Sequence, residues 1–316
     1  MSLQILTSRA IIGKFYKKLN ANTGIEWIGV ISNYFTSDQD TEEYAWLGQS
    51  PIMREWVGGR HAKGFTSNGI SIKNKHFEAT VDIPFKHLRR DKTGQVEVRI
   101  GELATRTNSH WALLLSELIK NGETQKCYDG KPFFATDHRE GKSGDQSNKI
   151  TFVMPKPTGG KDDSTVGVSA EAALREAILL GVQQIIGFKD DQGQPLNENA
   201  GKFVVMVPVP MWFVAKACLA VPLSVGGATN PVKVLADLDI AVASNPRLSG
   251  NKIYVFRADG DVKAFIRQEE EAVQVKAKAE GSEYEFDNDA HQYGVDTWRN
   301  VGYGYWQHAC QVTLTK

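Results

Sequence analysis

Apolar residues recur along this chain with two periods. One is close to 3.6 residues, the spacing of a helix face, and the other is 2, the spacing of a strand face. The strongest helical signal runs over 97–121. There Ile100, Leu103, Ala104, Thr107, Trp111, Leu114, Leu115 and Leu118 follow the i, i+3, i+4, i+7 pattern, and Asn121-Gly122 supplies a stop. At 1.5 Å per residue such a helix is about 37 Å long, enough to act as a girder on which sheets are mounted. A second helix is predicted from a Ser169 cap, with Leu174, Ala177, Ile178, Gly181, Val182 and Ile185 on its face and Gly187 at its end. A third starts at Pro210 and runs through Ala220. Near the start, Ile5, Leu6, Ile11, Ile12, Phe15, Tyr16 and Leu19 cluster at helical spacing beside Lys14, Lys17 and Lys18.

Strand periodicity is clearest in 52–84, which reads as a long hairpin. A first strand over 52–57 is followed by the turn residues Gly58-Gly59, Gly64 and Asn68-Gly69. A second strand over 70–83 contains neither Gly nor Pro. Ile70 and Ile72 share one face and Phe77, Ala79, Val81 and Ile83 the other, so the phase flips at Asn74-Lys75 as a bulge or sharp twist would make it. Fourteen extended residues reach about 45 Å. A ribbon of two strands alone is marginal in water, so its apolar faces need cover from the rest of the chain or from a neighbouring subunit. Further strands are predicted over 202–207, 237–243 and 252–257. Alternation over 273–280 outweighs the helix propensity of its Ala, Lys and Glu, with a helix as the alternative. Trp306, Cys310, Val312 and Leu314 are expected on one face of the final strand. After Gly24 the chain turns polar and irregular, which predicts an arm instead of a core element. Residues 139–148, 155–163 and 190–201 read as loops.

The 316 residues allow one large domain or two to three small ones, with 41% hydrophobic and 23% charged residues as in ordinary globular proteins. The 37 Lys+Arg balance 37 Asp+Glu. A protein that coats nucleic acid carries a basic excess, so that class is disfavoured. Three widely spaced cysteines, Cys127, Cys218 and Cys310, fit reduced core thiols and not a disulfide framework. The longest apolar stretch, 203–215, is broken by Pro208 and Pro210 and falls short of the roughly 18 residues that span a bilayer. No basic segment followed by an apolar one opens the chain, so a cytosolic protein is expected.

Catalytic chemistry is not legible. Thr158-Gly159-Gly160-Lys161 has the look of a phosphate loop, but Pro155 stands at the earlier glycine position and Asp162 follows the lysine, where a hydroxyl should hold magnesium. Cys127, Asp129, Asp137 and His138 are close in sequence without a metal-ligand spacing, and Asp137-His138 is expected to tie down a loop by hydrogen bonds. No GxSxG elbow occurs, and Ser249-Gly250-Asn251-Lys252 lies in a turn. No catalytic residue, cofactor or metal is therefore expected. The seven tryptophans read as packing or interface anchors.

Several long blocks carry a family resemblance. Glu42-Glu43-Tyr44-Ala45-Trp46-Leu47-Gly48-Gln49, Met53-Arg54-Glu55-Trp56-Val57-Gly58 and Ile72-Lys73-Asn74-Lys75-His76-Phe77-Glu78-Ala79-Thr80-Val81 resemble the major head subunit (gpT) family of Mu-like phages. So do Leu118-Ile119-Lys120-Asn121-Gly122, Cys127-Tyr128-Asp129-Gly130-Lys131-Pro132-Phe133-Phe134 and Thr136-Asp137-His138. Beyond 138 the resemblance is one of layout. It implies an α+β chain with the Hong Kong 97-type phage capsid fold. Residues 1–50 would be the N-terminal arm, 51–91 the extended E-loop hairpin, 92–168 the peripheral domain with its long spine helix over 97–121, 169–258 the axial domain, and 259–316 strands returning to the peripheral domain.

The implied function is assembly without chemical turnover. Hexamers and pentamers of the chain would tile an icosahedral head around double-stranded DNA, in a virion assembled in the host bacterial cytoplasm. Inter-subunit contacts are expected from Ile12, Phe15 and Tyr16 of the arm and from Trp56, Phe77, Val81 and Ile83 of the hairpin. The implied partners are further copies of the chain, a separate scaffold or protease protein (the chain opens on the arm without an acidic helical leader), a portal, a decoration protein and the packaged DNA. Lys63, Lys73 and Lys75 lie in the hairpin and Asn288 and Asn300 in the late sheet, but nothing singles out a pair for an isopeptide crosslink, and none is expected. The competing readings are an encapsulin-like compartment shell and a soluble α/β enzyme.

Overall fold

The computed structural model describes residues 7–21, 25–44, 69–90, 94–155, 170–220 and 238–315. Four helices and strands of the first part lead into the central element. These are α1 (Ser8–Ala21), α2 (Trp27–Ile31), β1 (Ser32–Thr36) and β2 (Thr41–Tyr44), followed by β3 (Ile70–Lys73), β4 (Lys75–Pro84) and α3 (Phe85–Arg90). The central element is α4 (Gln95–Lys120), a helix of 26 residues. Gly94, at φ 71°, turns the chain into it in a conformation that side chains with a Cβ resist. Asn121 opens a short 3-10 turn where the helix stops.

The apolar stripe of α4 serves two cores. Val96, Ile100, Leu103 and Ala104 in its first half pack with Ile11 and Phe15 of α1 and with Ile83, Tyr293 and Val295. Ala112, Leu115 and Ile119 in its second half belong to the main core. The predicted girder is thus present, and each half of it carries a different sheet.

The sheet over the first half has four strands, in the order β1, β9 (Phe265–Lys278), β10 (Ala290–Tyr303), β4. β4 runs antiparallel to β10 from Lys75 opposite Arg299 to Pro84 opposite Ala290. The sheet of the main core has five strands, in the order β5 (Lys149–Val153), β11 (Ala309–Thr315), β8 (Lys252–Arg257), β6 (Lys202–Val207), β7 (Asp239–Ser244). Helices α5 (Ala170–Ile186) and α6 (Val209–Ala220) accompany it. A further small helix, α7 (Glu283–Asn288), lies between β9 and β10.

Several local expectations hold in detail. The 70–83 strand breaks at Asn74, where the phase flip placed a bulge, into β3 and β4. The 202–207 and 252–257 strands have the predicted bounds. The 273–280 alternation belongs to a strand.

Others need correction. Residues 25–44 are not a detached arm: Trp27, Ile28 and Ile31 are buried in the main core and β1 pairs in parallel with β9. The polar residues that suggested an arm are used locally, since Asn33 donates to the carbonyl of Asp261 and accepts from the amide of Lys263. Of the two sources of cover expected for 70–83, its own chain supplies the strand partners, since β3 pairs with β2 and β4 with β10. The predicted partner strand over 52–57 and the Ser169 cap lie outside the described residues. Trp306 sits in a 3-10 turn before the final strand, not on it. Residues 259–316 divide between the sheets, with β9 and β10 in one and β11 beside β8 in the other. β5, α3 and α7 carried no periodic signal, being five to six residues long.

Candidate functional site

The sequence points to surfaces, not to a reaction centre, and the described residues place most of the expected contact side chains around the four-stranded sheet. α1 lies along the first half of α4. Phe15 is 2% exposed there, whereas Ile12 and Tyr16 are half-buried at the margin of the same cluster. The Tyr16 hydroxyl accepts from the amide of Val275 on β9 at 3.1 Å, and Lys14 pairs with Glu97 at 2.7 Å. The helix is therefore bound to the body of its own chain. Phe15 is consumed by that body, and Ile12 and Tyr16 keep a face toward its margin.

On β4, Ile83 is also consumed, being buried against Leu88 and Tyr293 in the same cluster. Phe77 and Val81 are half-buried, and the Phe77 ring meets the His110 ring edge-on with centroids 4.4 Å apart. Asp296 of β10 ties the two strands, reaching Lys276 at 2.7 Å and His76 at 3.6 Å, and the His76 ring stacks on Trp298. β4 is the last strand of its sheet, so among the described residues only one of its hydrogen-bonding edges is paired. Trp56 lies outside the described residues.

Beneath the sheet a cationic cluster fixes it to the helix. Arg299 of β10 is buried, spans the ring of Trp111 at 4.7 Å, and donates to His110 Nδ1 at 3.1 Å and to the Thr107 carbonyl at 3.0 Å. Arg267 of β9 covers Tyr34 and Trp111 at 5.3 and 5.6 Å. Burial lowers the Arg299 guanidinium to about 10, with Glu269 opposing. Burial, with the charge of Arg299 added, lowers His110 to about 4, so this ring is neutral near pH 7.

The loop after α4 holds the residues that looked like a metal set. Cys127 Sγ donates to Asp129 at 3.0 Å, His138 Nδ1 lies 2.6 Å from the other carboxylate oxygen, and the amide of Lys131 donates to Asp129 at 2.9 Å. The His138 ring stacks on Trp306 at 4.0 Å. Burial pushes the Cys127 thiol far above its ordinary range, which opposes the thiolate a metal would need. Both carboxylate oxygens of Asp129 are engaged by these groups, so the cluster acts as a staple for residues 127–138. His138 ties down this loop as expected, and Asp137 does so through Lys131.

Surface apolar residues were the signal that periodicity missed. Val98 is 69% exposed, Phe213 73% and Phe286 91%. For Phe213 a hint was present: α6 is apolar on all sides, which implies more cover than one sheet provides. For Phe286 the surrounding acidic residues masked it.

Comparison with known proteins bears on these surfaces. The profile of the family described as "Mu-like prophage major head subunit gpT" matches residues 9–156 and 239–315, well over half of the chain. The major capsid protein of Escherichia phage Mu is 35% identical over 108 residues, which cover 34% of this chain and 35% of that protein. The Mu-like prophage FluMu major head subunit of Haemophilus influenzae is 32% identical over 131 residues, covering 41% of this chain and 42% of that protein. The aligned stretch thus spans less than half the length of either curated relative. A chain from the procapsid of bacteriophage JBD30 has the same fold, with a TM-score of 0.55 and 22% identity over 96% of this chain and 74% of that one. The expected α+β fold of phage capsid proteins is therefore the fold of this chain, and the chain belongs to the Mu-like prophage major head subunit gpT family.

Proposed function

We propose that this chain is the major capsid protein of a tailed Mu-like phage or prophage, and that copies of it assemble through hexamers and pentamers into an icosahedral head around double-stranded DNA. The observation that carries the reading is the family match combined with a capsid fold over nearly the whole chain. The surfaces support it. The outer edge of β4, the margin formed by Ile12, Tyr16, Phe77 and Val81, and the exposed Phe213 are features that a lone molecule leaves in water and a neighbouring copy can cover. Phe15 and Ile83 act one step back, by holding those margins in place.

Contacts of this kind join different patches of identical subunits, so they close into rings. If several of them together bury upward of roughly 2,000 Å² per subunit, they are obligate. A net charge of zero suits an enclosing wall that does not clamp its DNA. The chain works without chemical turnover. Its partners are other copies of itself, a separate scaffold or protease protein, a portal, a decoration protein and the packaged duplex, and its place is the virion capsid, assembled in the host bacterial cytoplasm.

Expression of the full chain, followed by sedimentation and negative-stain microscopy, tests this. Shells, or rings of five and six, are expected. A monomer or small closed oligomer at every concentration would count against the reading.

A further inference from the structure

At the end of the four-stranded sheet where β4 ends and β10 begins, two features of opposite character lie side by side. The first is α7. None of its residues is buried, and Phe286 is 91% exposed, the most exposed large apolar side chain among the described residues. Glu283 and Asp287 on the same helix are exposed as well. This tip is nonetheless firmly built. Ser282 caps it by accepting from the Glu285 amide at 3.2 Å, and Glu285 accepts from the Gly281 amide at 2.7 Å and meets His291 at 2.9 Å. Asp289 closes it at φ 45°, in the left-handed region. A rigid turn that spends backbone strain to hold a phenylalanine in water has the form of an interface anchor.

The second feature is a cleft of about 370 Å³ between α3 and the start of α4. Ile83, Pro84 and Val96 give it an apolar floor, and His87, Arg90 and Arg99 stand around it. Asp82 is the acidic group on its wall, and it accepts from the Tyr284 hydroxyl at 3.1 Å. Arg90 and Arg99 are exposed and pair with no described carboxylate. Cleft and tip are direct neighbours, since Pro84 is opposite Ala290 and the Phe85 amide donates to the Asp289 carbonyl at 2.8 Å. The tip does not fill the cleft of its own chain, because Phe286 points to solvent.

We propose that α7 of one copy docks into the Arg90–Arg99 cleft of a second copy of this chain, Phe286 seated on the apolar floor and Glu283 and Asp287 facing Arg90 and Arg99. The inference rests on the assembly reading above and names one contact within it. Charge complementarity selects the occupant: an acid-flanked aromatic fits an apolar floor with a cationic rim, and this chain carries both halves. Because they differ but sit at one end of the sheet, copies meeting there exchange tip and cleft around a local rotation axis, so the contact closes without leaving either half unfilled.

The test uses the full chain in three variants, Phe286→Ser, the pair Glu283→Lys with Asp287→Lys, and the pair Arg90→Glu with Arg99→Glu, plus the combination of the two charge reversals. Folding is checked by thermal unfolding. Each of the three is expected to fold and to lower the yield of assembled particles at least tenfold, and the combined reversal is expected to recover most of it. Particles at wild-type yield from all three, or no recovery in the combination, would overturn the contact while leaving the shell reading intact. If the wild-type chain makes neither shells nor rings of five and six, the shell reading fails. The contact is then read in whatever oligomer forms, by carbodiimide crosslinking of mixed light and heavy-isotope chains. A crosslink from Lys86, the exposed lysine of α3 beside the cleft, of one copy to Asp287 of another supports the contact, and its absence overturns it. Loss of co-assembly with a second phage protein, while copies assemble normally alone, would assign the cleft to that protein and also overturn it.

Discussion

The guanidinium of Arg299 lies 4.7 Å from the ring centre of Trp111, joining the middle of strand β10 to the middle of helix α4. Arg299 is 189 residues from its hydrogen-bond partner His110, so the contact closes most of the chain into one frame. Glu269 faces the same guanidinium at 3.9 Å and is itself largely buried. Removing the cation would take away that carboxylate's ion-pair partner and leave the Tyr34 hydroxyl, which also donates to it. Arg299→Ala is expected to cost about 3 kcal/mol of stability, and Arg299→Lys to recover little of it, because an ammonium lacks the planar fork that covers the indole and reaches two acceptors at once. Urea unfolding followed by tryptophan fluorescence measures this; a cost below about 1 kcal/mol would refute it.

One half-buried histidine, His110, and one buried histidine, His308, make the fold acid-labile. Burial and the charge of Arg299 lower His110 to about 4, and burial and the charge of Arg257 lower His308 to about 4, from a free value of 6.5. The unfolded chain therefore binds more protons than the folded one between these values. Stability is full above pH 6.5, declines as the pH falls, and loses nothing further to these rings below about 4. Each contributes at most about 1.4 kcal/mol per pH unit in that window. His110→Gln is expected to flatten the pH dependence between 6.5 and 5; an unchanged slope would show that the ring does not titrate there.

Glu123 works in the opposite sense at lower pH. Burial raises its pKa, but hydrogen bonds from Lys252 and Gln311 and the charges of Lys252 and Lys149 outweigh burial and bring it to about 2. A carboxyl group depressed in the folded state stabilises above its free value of 4.5, and that stabilisation is lost as the pH falls toward 2. Glu123 links the end of α4 to β5, β8 and β11. Allowing for its partial exposure, Glu123→Gln is expected to cost on the order of 2 kcal/mol at pH 7 and almost nothing at pH 2. Equal costs at both pH values would contradict this.

Gly181 allows α5 to approach the five-stranded sheet. A Cβ there would stand 2.7 Å from Val255 and 3.2 Å from Val312, both branched side chains of the main core. Alanine favours a helix by about 1 kcal/mol over glycine. Gly181→Ala is nevertheless expected to lose about 1–3 kcal/mol through overpacking. A rise in the melting temperature would show that α5 can move away without cost.

Phe77 separates folding from assembly. It is half-buried on the last strand of its sheet, against His110 and not within the main core. Phe77→Asp is expected to abolish particles while the chain stays soluble, with secondary structure retained by circular dichroism. Normal heads from this variant would remove β4 from the list of assembly surfaces.

What could be read ahead of the structure followed from which residues share a face. The stripe from Ile100 to Leu118 set the girder, and the phase flip at Asn74 set the break between β3 and β4. Residues 25–44 were misread as detached because Ser32, Asn33 and Thr36 are polar, and for 70–83 local spacing offered only 52–57 as a partner strand and left open what else covers it. In both cases the partner is remote: β1 is covered by β9, more than 200 residues later, and β4 by β10.

The sequence by itself determined the periodic elements, the bulge, the absence of a legible catalytic motif and, through its blocks around 42–138, the family. Local spacing suffices for these, because backbone geometry alone dictates which side chains line up. Only the tertiary structure decided what covers each face: Phe15 and Ile83 turned inward, Ile12, Tyr16, Phe77 and Val81 held at the margin, and Phe286 raised beside a basic cleft. An apolar face must leave water, but its spacing does not specify the surface that receives it. That choice is made where distant segments meet and their packing and charges are compared.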